Sequence, residues 1–115
     1  AMTHREYNRS DRIAAELRRE VAVLVHDAVR DHALPSVSVS DVEVTRDLEH
    51  ATVWVTALMG EQGLPAAKLL NELAKEFRRV LSRSMRLRSV PALHFRYDDS
   101  VDRGERIEQL LRDPR

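Results

Sequence analysis

Residues 37–57 alternate apolar and polar side chains in two short runs, a period that suits half-buried strands and no helix. In the second run Ala51, Val53, Val55 and Ala57 fall on one side and Thr52, Trp54 and Thr56 on the other. In the first, Val37 and Val39 alternate with serines, and then Val42 and Val44 alternate with Glu43 and Thr45. Its phase slips by one residue at Ser40-Asp41, which predicts a β-bulge or a strand that changes faces. The link from Arg46 to Glu49 is short enough that the two runs must pair as an antiparallel hairpin. A lone hairpin is marginal in water, so these valines need cover from elsewhere in the chain.

Two amphipathic stretches offer that cover. Ile13, Leu17, Val21, Leu24 and Ala28 recur at steps of four and three, which predicts a helix from about Ser10 to Val29. Asn8 and Ser10 are candidate N-caps, and His32 to Pro35 ends the helix. Gly60 to Pro65 reads as a loop, with Pro65 in the first turn of a second helical stretch. There Leu69, Leu70, Leu73, Phe77, Val80 and Leu81 make an apolar stripe over residues 66–86. That stretch is either one helix or two joined by a mild bend centred on Ala74 to Phe77.

Pro91 opens a last strand in which Leu93, Phe95 and Tyr97 alternate with His94 and Arg96. Asp99 or Ser100 is placed to cap a terminal helix carrying Ile107, Leu110 and Leu111. The order α-β-β-α-(α)-β-α predicts an α+β fold, a three-stranded sheet with helices packed on one face.

At 115 residues the chain suits one domain, set at residues 10–112 between a flexible segment 1–9 and a tail 113–115. Ala1 ahead of Met2 reads as an appended residue. There is no cysteine, so disulfides and thiolate metal sites are excluded. No run approaches the ~20 apolar residues of a membrane span, and none reads as a signal peptide. The expectation is a cytoplasmic protein.

The net charge of zero conceals segregation. Residues 36–60 hold Asp41, Glu43, Asp47 and Glu49 against Arg46 alone. Residues 65–88 hold Lys68, Lys75, Arg78, Arg79, Arg83, Arg86 and Arg88 against Glu72 and Glu76. At ~100° per residue, Lys68, Lys75, Arg79, Arg83 and Arg86 fall within about 80° of one another, opposite the apolar stripe. Such a ridge can approach successive phosphates and release counterions, which binds a polyanion without reading its sequence. A solvated helix face would carry the same residue types.

Catalytic patterns are missing. His26, Asp27 and His32 do not complete a zinc set, and His4, His50 and His94 are scattered over other elements. Ser82 and Ser84 lack a base at helical spacing, and Gly60, Gly63 and Gly104 form no phosphate loop. Asp98-Asp99 reads as turn chemistry. Trp54 either stacks on a base or packs under a terminal helix or a neighbouring chain segment. Tyr97 and Phe95 are assigned to the core, and Tyr7 to the N-terminal segment.

Three blocks resemble one family. Residues 37–55, VSVSDVEVTRDLEHATVWV, resemble the hairpin of ribosome-binding factor A. Residues 87–95, LRSVPALHF, with Asp98-Asp99-Ser100 resemble its last-strand block, and 103–111, RGERIEQLL, is similar to its ending. Arg9, Arg12 and Ile13 fit the basic opening of its first helix. The resemblance implies a type II KH-like domain that binds the immature small (30S) subunit and its 16S rRNA. It implies a role in late maturation and 5′-end processing of that rRNA, without enzymatic activity. The expected RNA contacts are Lys75, Arg78, Arg79, Arg83, Arg86 and Arg88, with Arg9 and Arg12. No metal, cofactor, membrane or small-molecule substrate is expected, and the chain is expected to be a monomer.

The rival reading is a protein–protein adaptor that uses the acidic hairpin face and the open side of the sheet and makes no direct RNA contact. The family's Ala-x-Gly kink is altered here to Ala74-Lys75-Glu76, and its Asp-Pro-Arg to Asp31-His32-Ala33. A non-glycine residue enters positive φ only at a cost, so Glu76 is expected to keep negative φ.

Overall fold

The computed structural model of the chain describes residues 9–99. Helix α1 spans Arg9–Asp31, and strands β1 (Val37–Val44) and β2 (His50–Ala57) follow. A 3-10 turn at Gly60–Gln62 leads into α2 (Gly63–Glu72), then α3 (Ala74–Ser84) and β3 (Ala92–Tyr97). Ser100, the terminal helix expected around Ile107, Leu110 and Leu111, and Tyr7 and Asn8 lie outside the described residues.

Helix α1 buries Ile13, Leu17, Val21, Val25 and Ala28. Val25 takes the core position expected of Leu24, which is half-buried, because a 3.6-residue period drifts off a strict four-three count. Ser10, expected as a cap, lies inside the first turn and is buried. Burying a side chain such as Leu17, at 0% exposure, stabilises the fold by about 1.5–3 kcal/mol.

The helix ends in a Schellman motif. His32 N–H donates to the Ala28 carbonyl at 2.8 Å and Leu34 N–H to Val29 at 3.2 Å, with Ala33 at φ 54°. An alanine in left-handed backbone is strained, and Ala33 is exposed, so glycine there loses no packing. Ala33→Gly is therefore expected to raise stability by about 0.5–1 kcal/mol, seen as a higher urea midpoint. An unchanged or lower midpoint would refute this account of the turn.

Strands β1 and β2 pair antiparallel, from Val37 opposite Ala57 to Val44 opposite Ala51, with the register shifting between Val39 and Asp41. The expected phase slip is thus a bulge at Ser40. Its hydroxyl lies 2.8 Å from Asp98 Oδ2 and 3.2 Å from the Trp54 carbonyl oxygen. The hairpin turn closes through Thr45 N–H to the His50 carbonyl at 2.9 Å, with Leu48 at φ 63°.

Strand β3 runs parallel to β2 on its other side, so the sheet order is β1-β2-β3. Parallel neighbours need a crossover, and α2 and α3 supply it. Val53, Val55, Leu93 and Phe95 face the helices, while Trp54, Thr52, His94 and Arg96 line the open face.

Residues 60–65, read as a loop, are instead a 3-10 turn running into α2. Helix α2 approaches β3 so closely that a Cβ on Gly63 would overlap the Tyr97 ring, which explains the glycine at this buried position. Leu69 and Val80, assigned to the apolar stripe, are 38% and 41% exposed. Phe77 and Leu81 remain in the core, and Phe77 meets Phe95 edge-on with ring centroids 5.8 Å apart.

Candidate nucleic-acid interface

The 66–86 stretch breaks at Leu73, one residue ahead of the expected bend. Leu73 adopts φ −95° and ψ 0°, and its N–H turns to the Leu70 carbonyl at 3.0 Å. Any residue adopts that conformation, so the break needs no glycine. Glu76 is helical, and the positive-φ residues among those described are Ala33 and Leu48. Glu76→Gly is accordingly expected to cost about 1 kcal/mol in thermal or urea unfolding, as for any exposed helical site. A stabilised variant would show that the position favours left-handed backbone.

The break divides the predicted ridge. Lys75, Arg79 and Arg83 lie four residues apart on α3, all exposed, with Phe77 and Leu81 buried on the opposing side. Arg86 and Arg88 follow the helix end, exposed, and Lys68 stays behind on α2. Among the described residues the ion pairs are those of Arg30 with Asp27 and Asp31, and none involves the α3 row. Hydrogen bonding and charge from Asp31 hold the Arg30 guanidinium pKa above its ordinary value. Like charges one turn apart each cost a helix about 0.2–0.5 kcal/mol, a repulsion that a phosphate-bearing partner would reverse. The N-terminus of α3 has no side-chain cap, which leaves backbone donors beside Lys75.

Arg78 has other work. Its Nε and Nη2 donate to the Val90 carbonyl at 3.3 and 2.8 Å, pinning α3 to the segment that enters β3. Arg9 and Arg88, far apart in sequence, line one groove of about 540 Å³ beside the hairpin turn, together with Asp47 and Glu49. The Thr45 hydroxyl at 2.6 Å and the Glu49 N–H at 3.0 Å hold the Asp47 carboxyl below its usual range, so it stays ionised. Two acids against two arginines make this groove a weaker anion site than the α3 row. Arg12 is exposed one turn along α1.

Several contacts had no signal in the sequence. Asn71 on α2 donates Nδ2 to the Phe95 carbonyl at 3.0 Å and accepts the Phe95 N–H on Oδ1 at 2.7 Å, so one amide caps the outer edge of β3. His50 and His94, assigned to separate elements, stand with Nδ1 and Nε2 3.0 Å apart on the open sheet face. Trp54 is half-buried on that face and donates Nε1–H to Glu43 Oε1 at 3.1 Å. Tyr97, expected in the core, is half-buried against Gly63.

Comparison with known proteins agrees with this geometry. The family profile "Ribosome-binding factor A" matches residues 9–111. Ribosome-binding factor A of Xanthomonas euvesicatoria pv. vesicatoria is 59% identical over 112 residues, covering 97% of this chain and 86% of that protein. The Stenotrophomonas maltophilia (strain K279a) protein of that name is 61% identical over 107 residues, covering 93% and 84%. Among solved structures, ribosome-binding factor A from Thermus thermophilus superposes with TM-score 0.67 at 26% identity, covering 76% of this chain and 93% of that one. The Thermus thermophilus homology model fitted into a cryo-EM map of a 30S complex superposes with TM-score 0.65 at 28% identity, covering 76% and 94%.

Proposed function

The chain belongs to the ribosome-binding factor A family, and on that premise we propose that it is a non-catalytic assembly factor for the small ribosomal subunit. In this reading it binds the immature 30S particle through 16S rRNA, and supports late maturation and 5′-end processing by occupying and shaping RNA. It acts as a monomer in the cytoplasm, without cofactor or small-molecule substrate. No helix among the described residues is long and apolar enough to cross a membrane.

The observation that carries the reading is the row Lys75, Arg79 and Arg83, presented by a helix whose other side is locked in the core. Arg86 extends the row past the helix end, Arg9 and Arg88 line a second, more balanced groove, and Arg12 is exposed on α1. Arg78 serves first as a brace.

Co-sedimentation with small-subunit precursors and with mature subunits, at two salt concentrations, tests the proposal. Preferential binding to precursors that fades steeply with salt is expected, because phosphate contacts release counterions. Binding that ignores salt would instead favour the adaptor reading, with an apolar interface on the open side of the sheet as the contact.

A further inference from the structure

We propose that the groove lined by Arg9, Arg88, Asp47 and Glu49 takes one unstacked guanine nucleotide of single-stranded RNA, with the Glu49 carboxylate reading the base. The inference deepens the RNA-binding reading above and rests on it. At about 540 Å³ the groove lies within the ~300–1,000 Å³ of small-ligand sites, room for one nucleotide. Ile13, Leu48, Leu87 and Pro91, buried or half-buried, supply apolar wall against which a planar ring can lie. The four charges share the groove without pairing, since the ion pairs among the described residues are those of Arg30.

Opposite charges held apart in one groove suit neither a bare anion nor a bare cation. They suit a ligand that brings phosphate to the guanidinium groups and N–H donors to a carboxylate. Among the RNA bases, guanine alone presents two adjacent donors on its pairing edge, N1–H and the 2-amino group. Adenine, cytosine and uracil each set an acceptor beside their donor there, and a carboxylate repels it. Single strands offer that edge because their bases are unpaired. A carboxylate can take both guanine donors at once, one on each oxygen.

Backbone bonds fix Glu49 in place. Its N–H donates to Asp47 Oδ1 at 3.0 Å, and its carbonyl accepts the Ala92 N–H at 2.8 Å. Asp47 thus holds the turn, its Oδ1 also accepting from the Thr45 hydroxyl, and the exposed Glu49 side chain is left to meet a ligand. Arg9 at the start of α1 and Arg88 after α3 come from other elements, so each can take a phosphate flanking the base. The α3 row supplies affinity without sequence preference, and this groove adds preference at one position.

Short uridine oligomers carrying one central guanosine, inosine or adenosine test the subsite, with binding to the full-length protein followed by fluorescence anisotropy. The guanosine oligomer is expected to bind roughly tenfold tighter than the adenosine one. Inosine, which lacks the 2-amino group, should fall between them. Glu49→Gln should bring the ratio of guanosine to adenosine affinity near one, because its amide turns a donor toward the base. Arg88→Gln, and separately Arg79→Glu with Arg83→Glu, should weaken every oligomer and keep the ratio. Guanosine 5′-monophosphate should compete poorly, since it lacks the flanking strand. Its displacing the guanosine oligomer at equal concentration would assign the groove to a free nucleotide and overturn the proposal. Equal affinity for guanosine and adenosine in the parent, which needs no variant, or a preference that survives Glu49→Gln would also overturn it. Both results leave the RNA-binding reading intact, whereas a protein that binds none of the oligomers would remove the two together.

Discussion

Replacing Arg79 and Arg83 together with glutamate is expected to weaken binding to the small subunit roughly a hundredfold or more at low salt, while leaving the fold unharmed. Removing two charge-assisted hydrogen bonds to phosphate, at about 1.5–3 kcal/mol each, accounts for that magnitude. The dependence of log affinity on log salt should flatten by about one unit for each phosphate neutralised in the parent and not in the variant. Stability should stay close to the parent's. In the parent, Lys75, Arg79 and Arg83 repel one another along one side of α3. In the variant only the 75/79 pair becomes attractive, while positions 79 and 83 still repel and Glu76 gains an acidic neighbour, so helix stability should change by no more than about 0.5 kcal/mol. A general folding defect would lower both quantities, so lost affinity at near-unchanged stability identifies a surface used for binding. If the folded double variant binds with unchanged affinity and slope, the row is only a solvated face. Affinity and salt slope by filter binding, with urea unfolding on the same preparations, decide it.

The largest stability loss from a single polar side chain is expected at Asn71. Its amide supplies both hydrogen bonds that Phe95 would otherwise exchange with another strand. Asn71→Ala leaves a backbone N–H and a carbonyl partly buried without their partner, which costs about 2 kcal/mol. The effect should also be local. Ala92 and Asp98 donate their N–H groups toward β2, to Glu49 and Val55, so alternation turns the Phe95 N–H outward. Hydrogen exchange in the variant should accelerate first at Phe95, with His94 and Arg96 keeping their protection. An unchanged unfolding midpoint would show that water replaces the amide without loss.

Much of the fold was legible because burial imposes a period. The valines of β1 and β2 betrayed the hairpin, and even the bulge, since inserting one residue flips every later side chain. The break at Leu73 left no such trace. Leu70 and Phe77 are buried on either side of it, and the break uses backbone angles open to any residue. The cationic row was legible in part. Spacing placed Lys75, Arg79 and Arg83 together, but it also aligned Lys68 and Arg86, which the ends of α2 and α3 remove from the helix. Arg78 reads as one more surface cation, and only its 2.8 Å contact with Val90 shows a brace. His50 and His94 are brought together by parallel pairing across a long crossover, which no local pattern announces.

The bulge at Ser40 matters beyond the chain's own interior. A sheet of three strands has two margins, and each is a potential template for a strand from another molecule. At the β1 margin the extra residue interrupts the ladder and adds twist, so an incoming strand would lose register halfway along. Exposed Asp41 and Glu43 on the same strand add repulsion between identical copies brought edge to edge. A one-residue insertion is thus placed to hinder edge-to-edge pairing, at the margin opposite the one that the Asn71 amide covers.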